Sequence, residues 1–229
     1  MKKLEIYHKR NIGTGEKYVS ELVYRHLINF TLEQLISKNL KNKLKLKVYF
    51  RKKSHFDKQT VGYLLTTATT KTVPVRFAKM YIRTDMSFLN ILETITHELV
   101  HLKQYATGQL SKRIWKSDNR VHYRWNKKDI GVQSALVIVR SLVSQSIGVQ
   151  SDIEYKNRPY EIEAFEKQFP LVDKWTNYIK TPNYWTKENK LGLIWDVVLE
   201  QVRRELKVLE EKQTSKAGNQ EKRKQLIGG

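Results

Sequence analysis

The sequence predicts an α+β fold: a mixed twisted sheet built from residues near 44 to 84, a helix over residues 87–105 covering it, and a mainly helical C-terminal portion. Three patterns lead there. Between residues 41 and 53 (KNKLKLKVYFRKK), Leu44, Leu46, Val48 and Phe50 alternate with Lys43, Lys45, Lys47 and Tyr49, a period of two that gives one buried and one lysine-covered face. From Ser87 the period changes to 3.6, in SFLNILETITHELVHLKQYATG. Beyond Leu191, the residues Ile194, Val197, Val198, Val202, Leu206 and Leu209 form one helical stripe.

Taken in chain order, residues 18–40 place Leu22, Val23, His26, Leu27, Phe30, Leu32, Leu35, Ile36 and Leu40 at helical spacing, which predicts a helix broken near Asn29. The alternating strand follows. Threonine-rich residues 61–72 and alternating residues 73–84 predict two more strands. The helix over 87–105 has Ser87 or Asp85 as its N-cap and Gly108 as its stop. Residues 109–129, basic and containing Trp115, Tyr123 and Trp125, read as loop and hairpin. The apolar run 131–150 is long enough to span a bilayer, but Arg140 in its middle makes a buried helix or hairpin the expectation and membrane insertion the disfavoured one. Pro159 then opens a helix near 159–169, and residues 212–229 read as a basic tail.

Composition narrows the chemistry. The 229 residues, 40% hydrophobic with five Trp and twelve Tyr, are enough for a packed core. No cysteine is present, which removes disulfides, thiol nucleophiles and thiolate metal sites and leaves any metal to histidines and carboxylates. Basic residues at the start have no apolar run behind them, so a cytoplasmic location is expected.

His97-Glu98-Leu99-Val100-His101 is an H-E-x-x-H motif inside the predicted helix. The i, i+4 spacing puts both imidazoles on one face, one turn apart, where they can share an ion. Glu98 can then act as general base toward an attacking water, a step that zinc held by two imidazoles and a carboxylate makes feasible near neutral pH. For the third ligand the acidic candidates are Glu161, Glu163 and Glu166. Glu161 and Glu163 point about 200 degrees apart on a helix, so only one can face the ion. Ala164, small enough to let that helix approach, favours Glu163, with Glu161 as second choice. Glu93 or Asp173 are candidates to orient the imidazoles, and His122, Tyr160 and Arg158 to stabilise a transition state.

The segments ITHELVHLKQYATGQL and RPYEIEAF resemble those of zincin metallopeptidases of the gluzincin type, including compact versions encoded by phages and bacteria. The resemblance covers residues 77–168. It implies a zincin-like fold with residues 1–180 as the metallopeptidase domain and 181–229 as a C-terminal helix and basic tail. It also implies one zinc ion per chain held by His97, His101 and Glu163, Glu98 as general base, a peptide or protein substrate, and residues 79–84 as the sheet edge to which an extended substrate adds. A phage-encoded chain would work in the host cytoplasm or virion.

The formal charge of +20 adds a second theme. Lys41, Lys43, Lys45, Lys47, Arg51, Lys52 and Lys53 form a basic run, and Lys112, Arg113, Lys116, Arg120, Arg124, Lys127 and Lys128 a second cluster. Such clusters suit nucleic acid or an acidic protein partner. Two alternatives follow. One is a non-enzymatic binding or structural protein, virion- or nucleic-acid-associated, that retains a zincin fold. The other is a protease resembling the SprT-like, DNA-associated zincins, with His122 as a third histidine.

Overall fold

The structure, a computed structural model, describes residues 3–7, 14–57, 60–66, 74–115, 120–134 and 157–179. The chain divides into two compact units, Met1–Met86 with Asn90–Trp175, and Ser87–Leu89 with Thr176–Gly229. All contacts below lie within the first. Its elements are β1 (Lys3–Tyr7), α1 (Thr14–Leu35), α2 (Lys38–Lys43), β2 (Lys45–Arg51), β3 (Gly62–Thr66), β4 (Phe77–Arg83), α3 (Phe88–Thr107), β5 (Leu110–Trp115), β6 (Arg120–Trp125), β7 (Lys128–Ser134) and α4 (Pro159–Ile179).

The fold is α+β. A four-stranded mixed sheet has the order β1-β2-β4-β3, with β1, β2 and β4 parallel and β3 antiparallel on the edge. The alternation in β2 and β4 turns Leu46, Val48, Phe50, Ala78, Met80 and Ile82 into the core, each no more than 1% exposed. Helix α1 covers this face, with Tyr24 stacked on Phe50 at 4.6 Å between ring centroids. The segment leading into β4 is tied to the C-terminal end of α3, where Arg76 Nη1 donates to Ala106 O at 2.8 Å and Val75 N to Tyr105 O at 3.2 Å. These bonds satisfy carbonyls that the last helical turn leaves open. Gly108, at φ +78°, ends α3 in the left-handed region as its position predicted.

Edge strand β3 lies close against α3. A Cβ at Gly62 would fall 2.4 Å from Thr94 Cγ2, so only glycine permits this approach. A second sheet, β5-β6-β7, is three-stranded and antiparallel. Asn126 (φ 47°) and Lys127 (φ 70°) make the two-residue β6–β7 turn, whose twist requires two residues at positive φ.

Several expectations change. The first helix breaks at Ile36–Ser37 rather than near Asn29, and residues 41–43 belong to α2 rather than to the strand. Ser37 caps α2, its Oγ accepting from Leu40 N at 3.4 Å. Strand β1 joins the sheet through pairing with β2, a contact that no local pattern announced. The hairpin expected in residues 109–129 is present, β5 and β6 pairing antiparallel, and β7 adds a third strand that runs on to Ser134. Helix α4 extends past 169 through Pro170 to Ile179. Strand β4 pairs on both sides, with β2 and β3, so residues 79–84 are not a sheet edge; among the described strands the edges are β1 and β3. Of the run 131–150, only 131–134 fall within the described residues, and the predicted C-terminal helix and tail fall outside them. Among the described residues no helix is long and apolar enough to cross a membrane.

Candidate metal centre

His97 and His101 stand one turn apart on α3, 9% and 8% exposed. Apolar residues of the same helix, Leu92, Ile95 and Leu99, are buried with no exposure, which fixes the rotation of α3 and hence the direction of the imidazoles. Helix α4 packs across α3 through Ala164, buried with Val100 and Leu171. Ala164 lies three residues after Glu161 and four before Gln168, so one face of α4 presents Glu161, Ala164 and Gln168 in successive turns. Its small side chain lets the helices close, and the two flanking polar side chains then reach the histidines.

Three ligand atoms converge. His97 Nε2 and His101 Nε2 are 3.1 Å apart, and Glu161 Oε2 lies 3.3 Å from the first and 3.4 Å from the second. His97, His101 and Glu161, all buried, make up a group that could hold a metal ion. The preference for Glu163 is thereby corrected. The two glutamates do diverge on α4, but the small residue belongs to the face of Glu161. Glu163 is bound elsewhere, its Oε1 2.8 Å from Lys103 Nζ and 2.5 Å from Lys167 Nζ. Its partial burial opposes charge, yet the two ammonium groups and the Gln104 amide hold its carboxyl down at about 2.

The imidazoles are oriented by two glutamines that the sequence reading passed over. His101 Nδ1 donates to Gln104 Oε1, and His97 Nδ1 to Gln168 Oε1, both at 2.9 Å. The Gln104 assignment is fixed by its other end, where Nε2 donates to Tyr160 O at 2.9 Å and to Glu163 Oε2 at 3.0 Å. Main-chain carbonyl of Gln168 also accepts from Thr96 Oγ1 at 3.1 Å. With the Nδ1 positions committed outward, both Nε2 lone pairs face the Glu161 carboxylate. At such distances a proton or a cation must stand among them, and the donor set suits a divalent metal; without an ion, a proton on His101 Nε2 serves. Burial opposes a proton there, but Glu161 and Glu98 outweigh it and hold His101 at about 9. The glutamines were legible in spacing alone: Gln104 lies one turn after His101, and Gln168 two turns after Glu161. Carboxylates are the commoner occupants of this role, which is why the sequence points to Glu93 or Asp173, but the Nδ1 partners are the two glutamines.

Glu98, 5% exposed, has its pKa raised by burial, against the pull of the two histidines and with the help of Glu161. Tyr160, 7% exposed, has its ring 5.9 Å from that of His101, and Arg158, 8% exposed, donates from Nη1 to the Tyr160 hydroxyl at 3.2 Å. His122 is not brought to this group: it stands on β6 with Nδ1 4.0 Å from Asp129 Oδ1, so the three-histidine set is not assembled. No protein-family model, no curated protein and no solved structure matches the chain.

The expected basic clusters also sort themselves. Lys41 is 8% exposed, its Nζ 2.6 Å from Glu33 Oε1 and 3.3 Å from Asn29 O, and so leaves the surface run. Lys43, Lys52 and Lys53 are exposed off the sheet, whereas Lys45, Lys47 and Arg51 share its outer face. Lys112 sits between the rings of Tyr105 and Tyr123, at 5.1 and 5.5 Å from their centroids, and burial lowers its pKa to about 8.

Proposed function

We propose that the chain is a zinc-dependent metallopeptidase. The observation that carries the reading is the convergence of two tautomer-fixed imidazoles and a carboxylate beside a buried glutamate on the same helix. His97, His101 and Glu161 would hold the ion. When bound, zinc supplies Lewis acidity and brings a water's pKa toward neutrality. Glu98, its basicity increased by burial, takes the proton of the attacking water and returns it to the departing amine. A metal-only structural role leaves no use for a base at position 98. Tyr160 and Arg158 offer donors for the developing oxyanion.

An extended peptide would add to β3, which among the described strands pairs only with β4 and touches α3 one turn before His97. Phe165, 43% exposed, has its ring 4.8 Å from that of His97, and Ile162 and Phe169 continue the apolar face along α4. This favours substrates with an apolar side chain near the cleaved bond.

The test is metal analysis combined with cleavage of a broad peptide library. Wild type is expected to carry one zinc per chain and to cleave; Glu98→Gln is expected to keep the zinc and lose cleavage by a factor of about a hundred or more. Zinc without cleavage by wild type would defeat the enzyme reading, and failure to bind metal would remove the site itself.

A further inference from the structure

The outer face of the four-stranded sheet carries a separate array. Strand register sets Tyr7, Tyr49, Tyr81 and Tyr63 in one row across β1, β2, β4 and β3. Their rings stack in succession, with centroids 4.8, 4.9 and 4.7 Å apart and planes within 9°, 16° and 17° of parallel. Rings so close stand upright on the sheet, each covering its neighbour's faces and turning its electropositive edge outward. The stack ends at the edge strand on Tyr7, 38% exposed.

Cations flank this row on both sides. Lys47 and Lys79 pair two residues before it, preceded by Lys3 and Lys45, and Arg51 and Arg83 pair two residues after it. Arg51 lies 5.2 Å from the Tyr49 centroid and Lys47 Nζ 5.8 Å from that of Tyr7. Two acids accompany them: Glu5, bridged by Lys3 at 2.5 Å and Lys47 at 2.9 Å, and Asp85, bridged by Arg83 at 2.9 Å. Positive charge remains in excess. Beside the row, a shallow depression of about 350 Å³ is lined by Lys3, Lys45, Lys47, Leu46, Phe77 and the lysine-bridged Glu5, with Phe77 39% exposed.

We propose that this face binds single-stranded nucleic acid, its phosphates lying along the cationic rows and a base stacking on the open end of the ladder at Tyr7. The rows repeat about every 6.6 Å along the strands, which suits a repeating polyanion better than a single ion. An acidic peptide would meet the charge but give Tyr7 and Phe77 no stacking partner, while unpaired bases do. A duplex keeps its bases stacked inside and has nothing to place on Tyr7. The inference is independent of the metal centre.

The experiment is fluorescence anisotropy in chelator with labelled oligo-dT of about twenty nucleotides, a duplex of equal length, and polyglutamate. Engagement of about three phosphates is expected to make log K fall with log salt at a slope of about −2. Lys45→Ala/Arg51→Ala/Lys79→Ala is expected to weaken strand binding by about tenfold or more, and Tyr7→Ala by about fivefold or more, with Tyr7→Phe close to wild type. A control triple, Lys38→Ala/Lys127→Ala/Lys128→Ala, removes equal charge from exposed positions elsewhere. Equal loss in the control, duplex binding tighter than strand binding and indifferent to Tyr7→Ala, or polyglutamate binding as tight as the strand would each overturn the proposal. Circular dichroism of every variant separates loss of binding from loss of fold.

Discussion

A single side chain, Gln104, holds three parts of the centre in register. Its carbonyl fixes His101, while its amide group donates to Tyr160 O and to Glu163 on the opposite helix. Truncation would free His101 to rotate and leave the buried Tyr160 carbonyl and the part-buried Glu163 carboxylate without this donor. Gln104→Ala is therefore expected to weaken zinc binding by about 10–100-fold while stoichiometry stays at one, measured by competition with a chromogenic chelator. Glu161→Ala, by contrast, removes a ligand and should abolish tight binding in the same assay. At this scale the sequence was partly readable. His97, Glu98 and His101 follow from i, i+4 geometry alone. Choosing between Glu161 and Glu163 needed the phase of α4 against α3, which depends on where Ala164 lands, and that is a property of two helices together.

At the level of elements, the α3–α4 contact decides the site. Ala164 is fully buried between Val100 and Leu171. Ala164→Leu is expected to cost about 1–3 kcal/mol by overpacking, and to reduce zinc affinity because Glu161 and Gln168 move away with their helix. Thermal unfolding and metal titration on the same sample check both effects. Helix α3 was legible because its 3.6 period is uninterrupted and its ends are marked. The sheet was legible only as strands. Alternate lysines run back through Lys43 and Lys41, with Asn42 between them in place of an apolar residue, and the cap at Ser37 keeps all three helical. Strand order was hidden, because β1 and β2 pair across the length of α1 and β3 turns back to take the edge. Such pairings depend on long-range contacts that no window of sequence contains.

Across the larger compact unit, α1 and α4 are joined by a hydrogen bond that senses pH. Trp175 Nε1 donates to His26 Nδ1 at 2.9 Å, so the imidazole must accept there and stay neutral. Burial lowers the His26 pKa below its ordinary 6.5, with Glu33 opposing the shift only in part. Below 6.5 the unfolded chain takes up this proton and the folded chain does not. The stability it contributes is full above pH 6.5 and declines as pH falls toward the folded pKa. The raised His101 works in the opposite sense, giving stability below 6.5 that is lost as pH rises toward 9, so the His26 contribution is read as a difference: between pH 7.5 and 5.5, metal-free His26→Gln, which keeps an acceptor without titrating, is expected to lose less melting temperature than wild type does. Glu163 and Glu5, held near 2, act only in a lower pH range, where their carboxyls would take up protons. The net charge of +20, which alone would suggest a nucleic-acid protein, is divided by the fold between buried anchors such as Lys41 and an ordered array on the sheet.

The two imidazoles are secured at different stages of chain assembly. His101 finds its partner three residues away, within one turn of its own helix, as soon as α3 forms. His97 depends on Gln168, 71 residues further along, and Glu161 is nearly as remote. A metal ion would therefore act on the folding chain as a reversible crosslink closing a long loop, restricting the unfolded ensemble in the way a disulfide does in chains that have cysteine. In a protein without any, the ion would bear on when this long stretch of chain closes as well as on what the closed site can do.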